Sequence, residues 1–178
     1  MEENQEFEAP VTTKQVAMKW GLYLGMAMIL YGMILQLTGQ IGNQALGYIN
    51  YLFVAILMFF AHKEFKESGN GFMSYKQGLG LGMIMVLIGS VISSLWSYIY
   101  LKFIDDSMLD IIKEKQLEEF EKQNMSDAQI DQAMAMMERF SNPEMIVVFA
   151  IVFGVFFGFI VSLIISAITK NPDPAQEF

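Results

Sequence analysis

Three acidic residues at helical spacing form the strongest charge cluster in the sequence. Asp106, Asp110 and Glu114 are four residues apart, so on a helix their carboxylates lie on one face, with Asp105 beside them. Like charges at this spacing repel one another unless a cation or a basic partner is bound. Neighbouring lysines balance part of the charge, and a solvated helix face explains the pattern without a ligand. We interpret these residues as a solvated face first, and as a calcium site or partner-binding acidic face second.

His62 is the only histidine in the chain and directly follows an apolar run. Lys63 and Glu64 come next, which places the imidazole near the boundary between hydrocarbon and water. We predict a boundary residue whose ring extends toward the lipid head groups. A proton relay is the alternative, because histidine titrates near neutral pH.

The residue inventory argues against enzymatic chemistry. There is no cysteine, which excludes thiolate nucleophiles, thiolate metal sites and disulfides, and one histidine leaves few ligands for a transition metal. No nucleophile is paired with a base in a recognisable pattern, and the GLGLG segment lies inside an apolar run. The net charge of −8 opposes binding to nucleic acid. We therefore predict that the protein is not an enzyme and has no catalytic residues, metal site or cofactor.

Four long apolar runs form the scaffold that must position any functional residues of the chain. They cover about residues 16–37, 45–61, 76–101 and 144–169, in a chain that is 54% hydrophobic. At roughly 1.5 Å per residue, a helix of about twenty residues crosses the ~30 Å hydrocarbon layer of a membrane. Ser74 with Gln77 makes a capping box before the third run, and Pro143 suits the first turn of the fourth. The pattern predicts an all-α fold, an integral membrane four-helix bundle over residues 14–170, with a disordered acidic tail at 1–13 and a short tail at 171–178.

The segment 102–142 is the only sizeable polar connection. Apolar residues recur in it at helical spacing, so we predict that the third helix continues past the membrane surface and breaks at 123–125. Ser126 with Gln129 then makes a capping box for a second amphipathic helix. Two such helices joined by a turn predict an extramembrane amphipathic helical hairpin between helices 3 and 4, with one face of each helix buried against the other.

Small residues spaced for close helix packing line three of the runs. Helices in lipid associate through close backbone approach, because lipid tails provide no hydrophobic driving force between them. On the first run, Gly21, Gly25 and Gly32 are placed in this way. We predict packing within one bundle, with a homodimer seam as the alternative. The proposed helix-packing groove comprises Ala150, Gly154, Gly158, Ser162 and Ser166 on the fourth run, and Gly78, Gly82 and Gly89 on the third.

Asn50 is the one strong hydrogen-bonding side chain of the second run. An amide within lipid needs a hydrogen-bond partner, and neighbouring helices commonly supply one. We therefore predict that Asn50 bonds across to another helix, near Gln36, rather than to a substrate.

The placement of lysine predicts the orientation of the chain. The first connection has no charge, whereas the second carries Lys63, Lys66 and Lys76. Lysine and arginine are enriched in cytoplasmic loops. We therefore predict that both termini are cytoplasmic and that the acidic hairpin lies on the opposite side.

Several short segments are similar to those of one known family. They are FK at 65–66, GFMSYKQG at 71–78, SDAQI at 126–130 and FSNP at 140–143. Together with four spans, they resemble DUF4199, a bacterial membrane family of unknown function, over about residues 14–170. The resemblance implies a multi-pass protein of the bacterial inner (cytoplasmic) membrane. It brings no accepted activity and no catalytic residues.

These observations favour a non-enzymatic inner-membrane protein. Its partners are expected to be the lipid bilayer and another membrane or envelope protein, which the acidic hairpin at 102–142 engages. A small carrier or channel assembled along the glycine grooves is an alternative from another class, and a homodimer stays open. An accessory to a lipid-linked sugar transferase is a further alternative, suggested beside the resemblance.

Overall fold

The computed structural model describes residues 11–105 and 107–176, and this part of the chain is helical almost throughout. The helices are α1 (Thr13–Leu37), α2 (Gln44–Gly47), α3 (Ile49–Glu67), α4 (Tyr75–Phe103), α5 (Ser107–Lys122), α6 (Asp127–Phe140) and α7 (Pro143–Thr169), followed by a 3₁₀ turn at Pro174–Gln176. The predicted all-α membrane helical bundle is confirmed. The predicted disordered tail falls mostly on residues 1–10, which lie outside the described residues.

Four of the helices are long and apolar enough to cross a membrane. They are Thr13–Leu37, Ala45–Glu67, Tyr75–Phe103 and Pro143–Thr169, with 25, 23, 29 and 27 residues. Large apolar side chains such as Phe156 and Leu30 are exposed on their outer faces, where a soluble protein would carry polar residues. The chain is therefore a multi-pass membrane protein.

Capping residues begin the helices where the sequence predicts them. The Ser74 hydroxyl accepts a hydrogen bond from the Gln77 amide at 3.3 Å, and the Gln77 side chain accepts from the Ser74 amide at 2.7 Å. At the start of α7, the Asn142 side chain accepts from the Met145 amide at 2.8 Å. Because these groups satisfy amides that a helix start leaves without partners, they fix where the membrane helices begin.

The membrane helices form a ring in the order α1, α4, α7, α3. α4 packs along α1 on one side and α7 on the other, and α3 closes the ring by packing on α1 and α7. Leu24, Met58, Leu81 and Met85 are fully buried at the centre, one from each of α1 and α3 and two from α4. α4 is thus the helix around which the bundle is built.

The bundle has two different ends. The terminal end holds the beginning of α1, the end of α7 and the connection between α3 and α4, while the hairpin end holds α2, α5 and α6. At the terminal end, Met73 and Asn171 exchange two backbone hydrogen bonds of 2.8 Å, and the Asn171 side chain donates to the Gly71 carbonyl at 3.0 Å. These bonds tie the segment after α7 to the connection before α4.

The third membrane helix does not continue past the membrane as predicted. α4 ends at Phe103, and α5 begins separately at Ser107. The Asp105 side chain accepts from the Ser107 amide at 2.9 Å, so a side chain takes the place of the helical carbonyl acceptor. Hydrogen bonds from Ser107 also hold the pKa of Asp105 below its ordinary value. The chain can therefore change direction where it leaves the membrane.

α5 and α6 follow one another as two amphipathic helices. The chain reverses around Asn124, which has a φ of 56°, and Ser126 with Gln129 forms the predicted capping box before α6. Neither helix has a buried residue among those the structure describes. The tight burial of one face against the other therefore stays a prediction. Lys115 of α5 donates to the Ile41 carbonyl, which holds α5 against the first connection.

Candidate functional site

The acidic face of α5 is open to solvent. Asp110 and Glu114 are both exposed, and neither forms an ion pair within the described part of the chain, whereas Asp106 lies outside the described residues. Over residues 11–105 and 107–176, no group of three His, Asp or Glu side chains is close enough to hold a metal ion. The face can attract a basic group, since the Asp110 and Glu114 carboxylates form no ion pair in that part of the structure.

Apolar side chains are exposed on the same hairpin. Met136 on α6 is 62% exposed and Phe140 is 46% exposed, while Ile111 and Leu117 of α5 are each 36% exposed. Phe140 packs edge-on against Phe149 of α7, with 5.9 Å between ring centroids. Acidic and apolar groups therefore share one solvent-facing element at the hairpin end.

The predicted small-residue groove of the fourth span lies mainly in the seam between α4 and α7. Gly158, Ser162 and Ser166 are buried there, and a β-carbon at Gly158 would overlap the Val86 side chain. The Ser162 hydroxyl donates to the Leu79 carbonyl at 3.3 Å, and a β-carbon at Gly82 would overlap that hydroxyl. The two backbones approach this closely only because no larger side chain separates them. Farther along α7, Gly154 is half-buried beside Ser90, and Ala150 is exposed.

The glycines of the third span do not form one groove, because they pack against different helices. Gly78 and Gly82 face α3 and α7, where added β-carbons would meet His62, Met58 and two serines. Gly89 instead faces Leu24 of α1, whose Cδ2 would lie 2.8 Å from a β-carbon. On α1, added β-carbons at Gly21 and Gly25 would each lie 2.8 Å from an isoleucine of α4, whereas one at Gly32 would meet nothing within 4 Å.

His62 is buried, so the prediction that it extends toward the head groups is wrong. Its relative exposure is 0%, because α4 and the end of α7 cover the imidazole. Nδ1 lies 2.7 Å from the Thr169 hydroxyl, and Nε2 lies 3.0 Å from the Gly78 carbonyl oxygen. The sequence around His62 carries no signal for these partners, which come from distant parts of the chain.

The hydrogen bonds of His62 constrain its protonation. A carbonyl oxygen only accepts, so Nε2 carries a proton and donates to Gly78. The Thr169 hydroxyl lies 2.7 Å from both Nδ1 and the Ile165 carbonyl oxygen. In the neutral ring Nδ1 accepts from the Thr169 hydroxyl, so both nitrogens of the buried ring are hydrogen-bonded.

Charged and aromatic groups surround His62 at the terminal end. Lys66 donates to the Thr169 carbonyl oxygen at 3.0 Å, adding a second link between α3 and α7. Glu64 accepts from Lys19 at 2.8 Å and from the Trp20 indole at 3.0 Å, which links α3 to α1. α3 is thus fastened to both of its ring neighbours within its last turns.

A second ion pair fastens the hairpin end. Lys102, at the end of α4, donates to Glu144 of α7 at 2.8 Å and to the Tyr98 hydroxyl at 2.6 Å. Tyr98 also donates to Glu144 at 3.2 Å. These three side chains fix the beginning of α7 against α4, and they place charges at the edge of the apolar span.

A cavity of about 350 Å³ opens between α3, α4 and α7 near the hairpin end. Hydroxyls of Ser90 and Ser94 and the amide of Asn50 line it, together with Tyr51 and Phe153. The Asn50 amide donates to the Gly47 carbonyl, three residues earlier in the chain, at 3.3 Å, so the predicted bond across to α1 near Gln36 is not formed in the described structure. α3 lies diagonally across the ring from α4 and packs on it less than on α1 and α7, which leaves room for the cavity. Its shape and lining suit a small molecule with hydrogen-bonding groups.

Comparison with known proteins gives one match. Residues 19–171 match the family described as Protein of unknown function (DUF4199). No curated protein and no solved structure matches this chain.

Proposed function

Because the chain belongs to the DUF4199 family, whose description assigns no activity, we propose from geometry that it is a non-enzymatic membrane protein whose hairpin α5–α6 binds a partner protein. The single observation that carries the proposal is the exposure of the hairpin. It is the largest element outside the four membrane helices, and none of its described residues is buried.

The chemistry of the hairpin defines the partner. Residues 107–140 contain eight acidic and four basic side chains, and Asp110 and Glu114 face solvent without an ion pair in the part of the chain described. Exposed Met136 and Phe140 add apolar surface on the same hairpin. Flexible methionine and rigid aromatic side chains are common anchors at protein interfaces. A membrane or envelope protein with a basic, amphipathic segment would complement both properties.

The position of the hairpin supports this role. Lys115, in the middle of α5, donates to the first connection, and Phe140, at the end of α6, packs on Phe149 of α7, so both helices of the hairpin are held against the rest of the protein. A fixed surface loses less entropy on binding than a free tail. The proposed location is the bacterial inner membrane, with both termini cytoplasmic and the hairpin on the other side. The lysines of the second connection support that orientation.

The small-residue seams support packing of the helices within one chain, rather than assembly of several copies into a carrier along glycine grooves. Gly158, Ser162 and Ser166 are buried against α4 of the same chain, and Gly21 and Gly25 are buried against α4 from the other side. Surfaces that are filled within the chain are not free to form a seam with a second copy.

Photocrosslinking in cells tests the proposal. A photoreactive amino acid is placed at Met136 or at Leu117, on the two helices of the hairpin, and adducts are identified by mass spectrometry. We expect one and the same protein at both positions, and a basic amphipathic segment of that protein in the crosslinked peptide. The combined substitutions Asp110→Asn and Glu114→Gln should reduce the adduct several-fold.

Two controls separate this outcome from others. The same photoreactive residue at Phe156, on the lipid-exposed face of α7, should give lipid adducts only. Substitutions Asp127→Asn and Glu138→Gln change the hairpin charge equally at other exposed positions, and they should leave the adduct in place. Lipid adducts at Met136 and Leu117, or a protein adduct that ignores Asp110 and Glu114, would show that the hairpin does not bind a basic partner.

A further inference from the structure

Two serine hydroxyls in the cavity between α3, α4 and α7 are set apart from their neighbours. Ser93 and Ser97 donate to carbonyls of their own helix, at 3.2 Å to Ser90 and 3.0 Å to Ser93, as serine in a membrane helix usually does. The hydroxyls of Ser90 and Ser94 form no such bond within the described structure, although these residues are only 5% and 3% exposed. Both line the cavity. Polar groups buried in this way are ready to bond a ligand that enters.

The lining also restricts the charge of that ligand. No charged side chain among the described residues lines the cavity. An ion at this depth without a counter-charge would pay a large desolvation cost. Asn50 adds an amide oxygen that has no donor in the part of the chain described, and Tyr51 adds a phenol. The surroundings therefore favour an uncharged molecule that both donates and accepts hydrogen bonds.

The location of the opening indicates where the molecule comes from. Phe153 and Ala150 of α7 line the cavity and are exposed on the outer surface of the bundle, which places the opening beside α7 within the apolar span. Tyr51 and Phe157 pack with 5.3 Å between ring centroids and join α3 to α7. Ser90 lies in the middle of α4, fifteen residues after its start at Tyr75. A molecule already dissolved in the bilayer can reach such an opening directly.

We propose that this cavity binds an uncharged lipid with a hydroxyl-bearing head group, of the monoacylglycerol type. The head group bonds to Ser90, Ser94 and Asn50, and the acyl chain leaves past Phe153 into the bilayer. The volume of about 350 Å³ accommodates a glycerol-sized head and the first carbons of its chain. The site is separate from the hairpin surface and does not depend on the hairpin's binding a partner.

Photolabelling of the purified full-length protein tests this proposal. The protein is placed in nanodiscs of phosphatidylcholine and phosphatidylglycerol that contain a monoacylglycerol with a diazirine in its acyl chain. We expect saturable labelling that maps to the part of α7 around Phe153. Unlabelled monoacylglycerol should compete, whereas added phosphatidylcholine or free glycerol should not.

Variants test whether labelling depends on the cavity residues or on the rest of the seam between α4 and α7. Replacing Ser90 and Ser94 together by alanine should reduce labelling about tenfold, because two hydrogen bonds to the head group are lost. Ser166→Ala removes an equally buried hydroxyl outside the cavity and should leave labelling unchanged. Ala150→Trp should block the opening without removing a hydroxyl, while Val148→Trp, on the exposed surface of the same helix, should not. Size-exclusion profiles establish that each variant is folded.

Three results would overturn the proposal. Labelling that is unchanged in the Ser90→Ala, Ser94→Ala variant would show that the hydroxyls bind nothing. Equal labelling by a phosphatidylcholine probe would show a non-selective lipid contact. Competition by free glycerol at the same concentration as the lipid would show that the cavity takes a soluble polyol instead.

Discussion

The imidazole of His62 lies 2.7 Å from the hydroxyl of Thr169, although the two residues are 107 positions apart in the chain. With the bond to Gly78, this contact joins the end of α3 to the beginning of α4 and the end of α7. Three of the four membrane helices therefore meet at one buried ring. The ring is the one fully enclosed titratable side chain of the described structure.

Removing this ring should destabilise the bundle. We expect His62→Ala to lower the free energy of unfolding by about 2–4 kcal/mol, because it leaves a cavity and removes the two hydrogen bonds that join α3 to α4 and α7. His62→Gln should lower it less, since its amide can still donate to the Gly78 carbonyl. Unfolding in mixed micelles with increasing dodecyl sulfate measures both changes. The neighbouring exposed substitution Lys63→Ala serves as the control and should have little effect, and a loss as large as that of His62→Ala would contradict the prediction.

The seam between α4 and α7 predicts opposite effects for two glycine substitutions. Gly158→Ala should destabilise the bundle by about 1–3 kcal/mol, because its β-carbon overlaps Val86. Gly80→Ala should be neutral or stabilising by up to about 1 kcal/mol, since no atom lies within 4 Å of its β-carbon and alanine favours the helix. The same unfolding assay measures both.

A compensating variant makes the Gly158 prediction specific. Adding Val86→Ala to Gly158→Ala should restore part of the lost stability, because the smaller side chain leaves room for the new β-carbon. If the two substitutions simply add their costs, the overlap between these two residues is not the cause.

The Glu64 carboxylate accepts one hydrogen bond from a charged donor, Lys19, and one from a neutral donor, the Trp20 indole. Glu64→Gln should cost little stability, because the amide oxygen still accepts from the Trp20 indole and the lost pair with Lys19 is half exposed. Glu64→Ala should cost more, yet remain well below His62→Ala, because both contacts disappear. Emission from Trp20, recorded in a Trp96→Phe background, should shift to the red only in the alanine variant. An equal shift in both variants would show that the charge of Glu64, rather than its hydrogen bond, holds the indole.

The absence of cysteine allows a direct test of orientation. Asn124→Cys, in the turn between α5 and α6, should react in intact cells with a maleimide that cannot cross the inner membrane. Asn70→Cys, in the connection between α3 and α4, should react only after the membrane is opened. Both positions are exposed, so burial does not confuse the result. The reverse pattern would place the termini outside and the hairpin in the cytoplasm.

Much of the fold could be predicted because it depends on neighbouring residues. Hydropathy over about twenty positions sets the membrane helices, and capping by Ser74, Gln77 and Ser126 acts over three residues. The sequence does not predict the break between α4 and α5, because apolar residues keep the same helical spacing on both sides of it. Asp105 stops the helix with one hydrogen bond to Ser107, a local effect that the spacing of apolar residues does not reveal.

The candidate sites depend on information that helical spacing lacks. Periodicity shows that Gly78, Gly82 and Gly89 share a face of α4, but the crossing of the neighbouring helices decides that two of them meet α3 and α7 and the third meets α1. In the same way, nothing near Ser90 and Ser94 predicts that α3 leaves a cavity beside them.

Local patterns along the chain are enough to predict four membrane crossings and one acidic polar segment, because burial in lipid and helix capping depend on residues within a few turns. The enclosure of His62, the helix that each glycine meets and the position of the serine-lined cavity follow from the packing of the whole bundle. Those features arise from contacts between residues such as Leu79 and Ser162, 83 positions apart, whose meeting is set by how the helices pack as a whole.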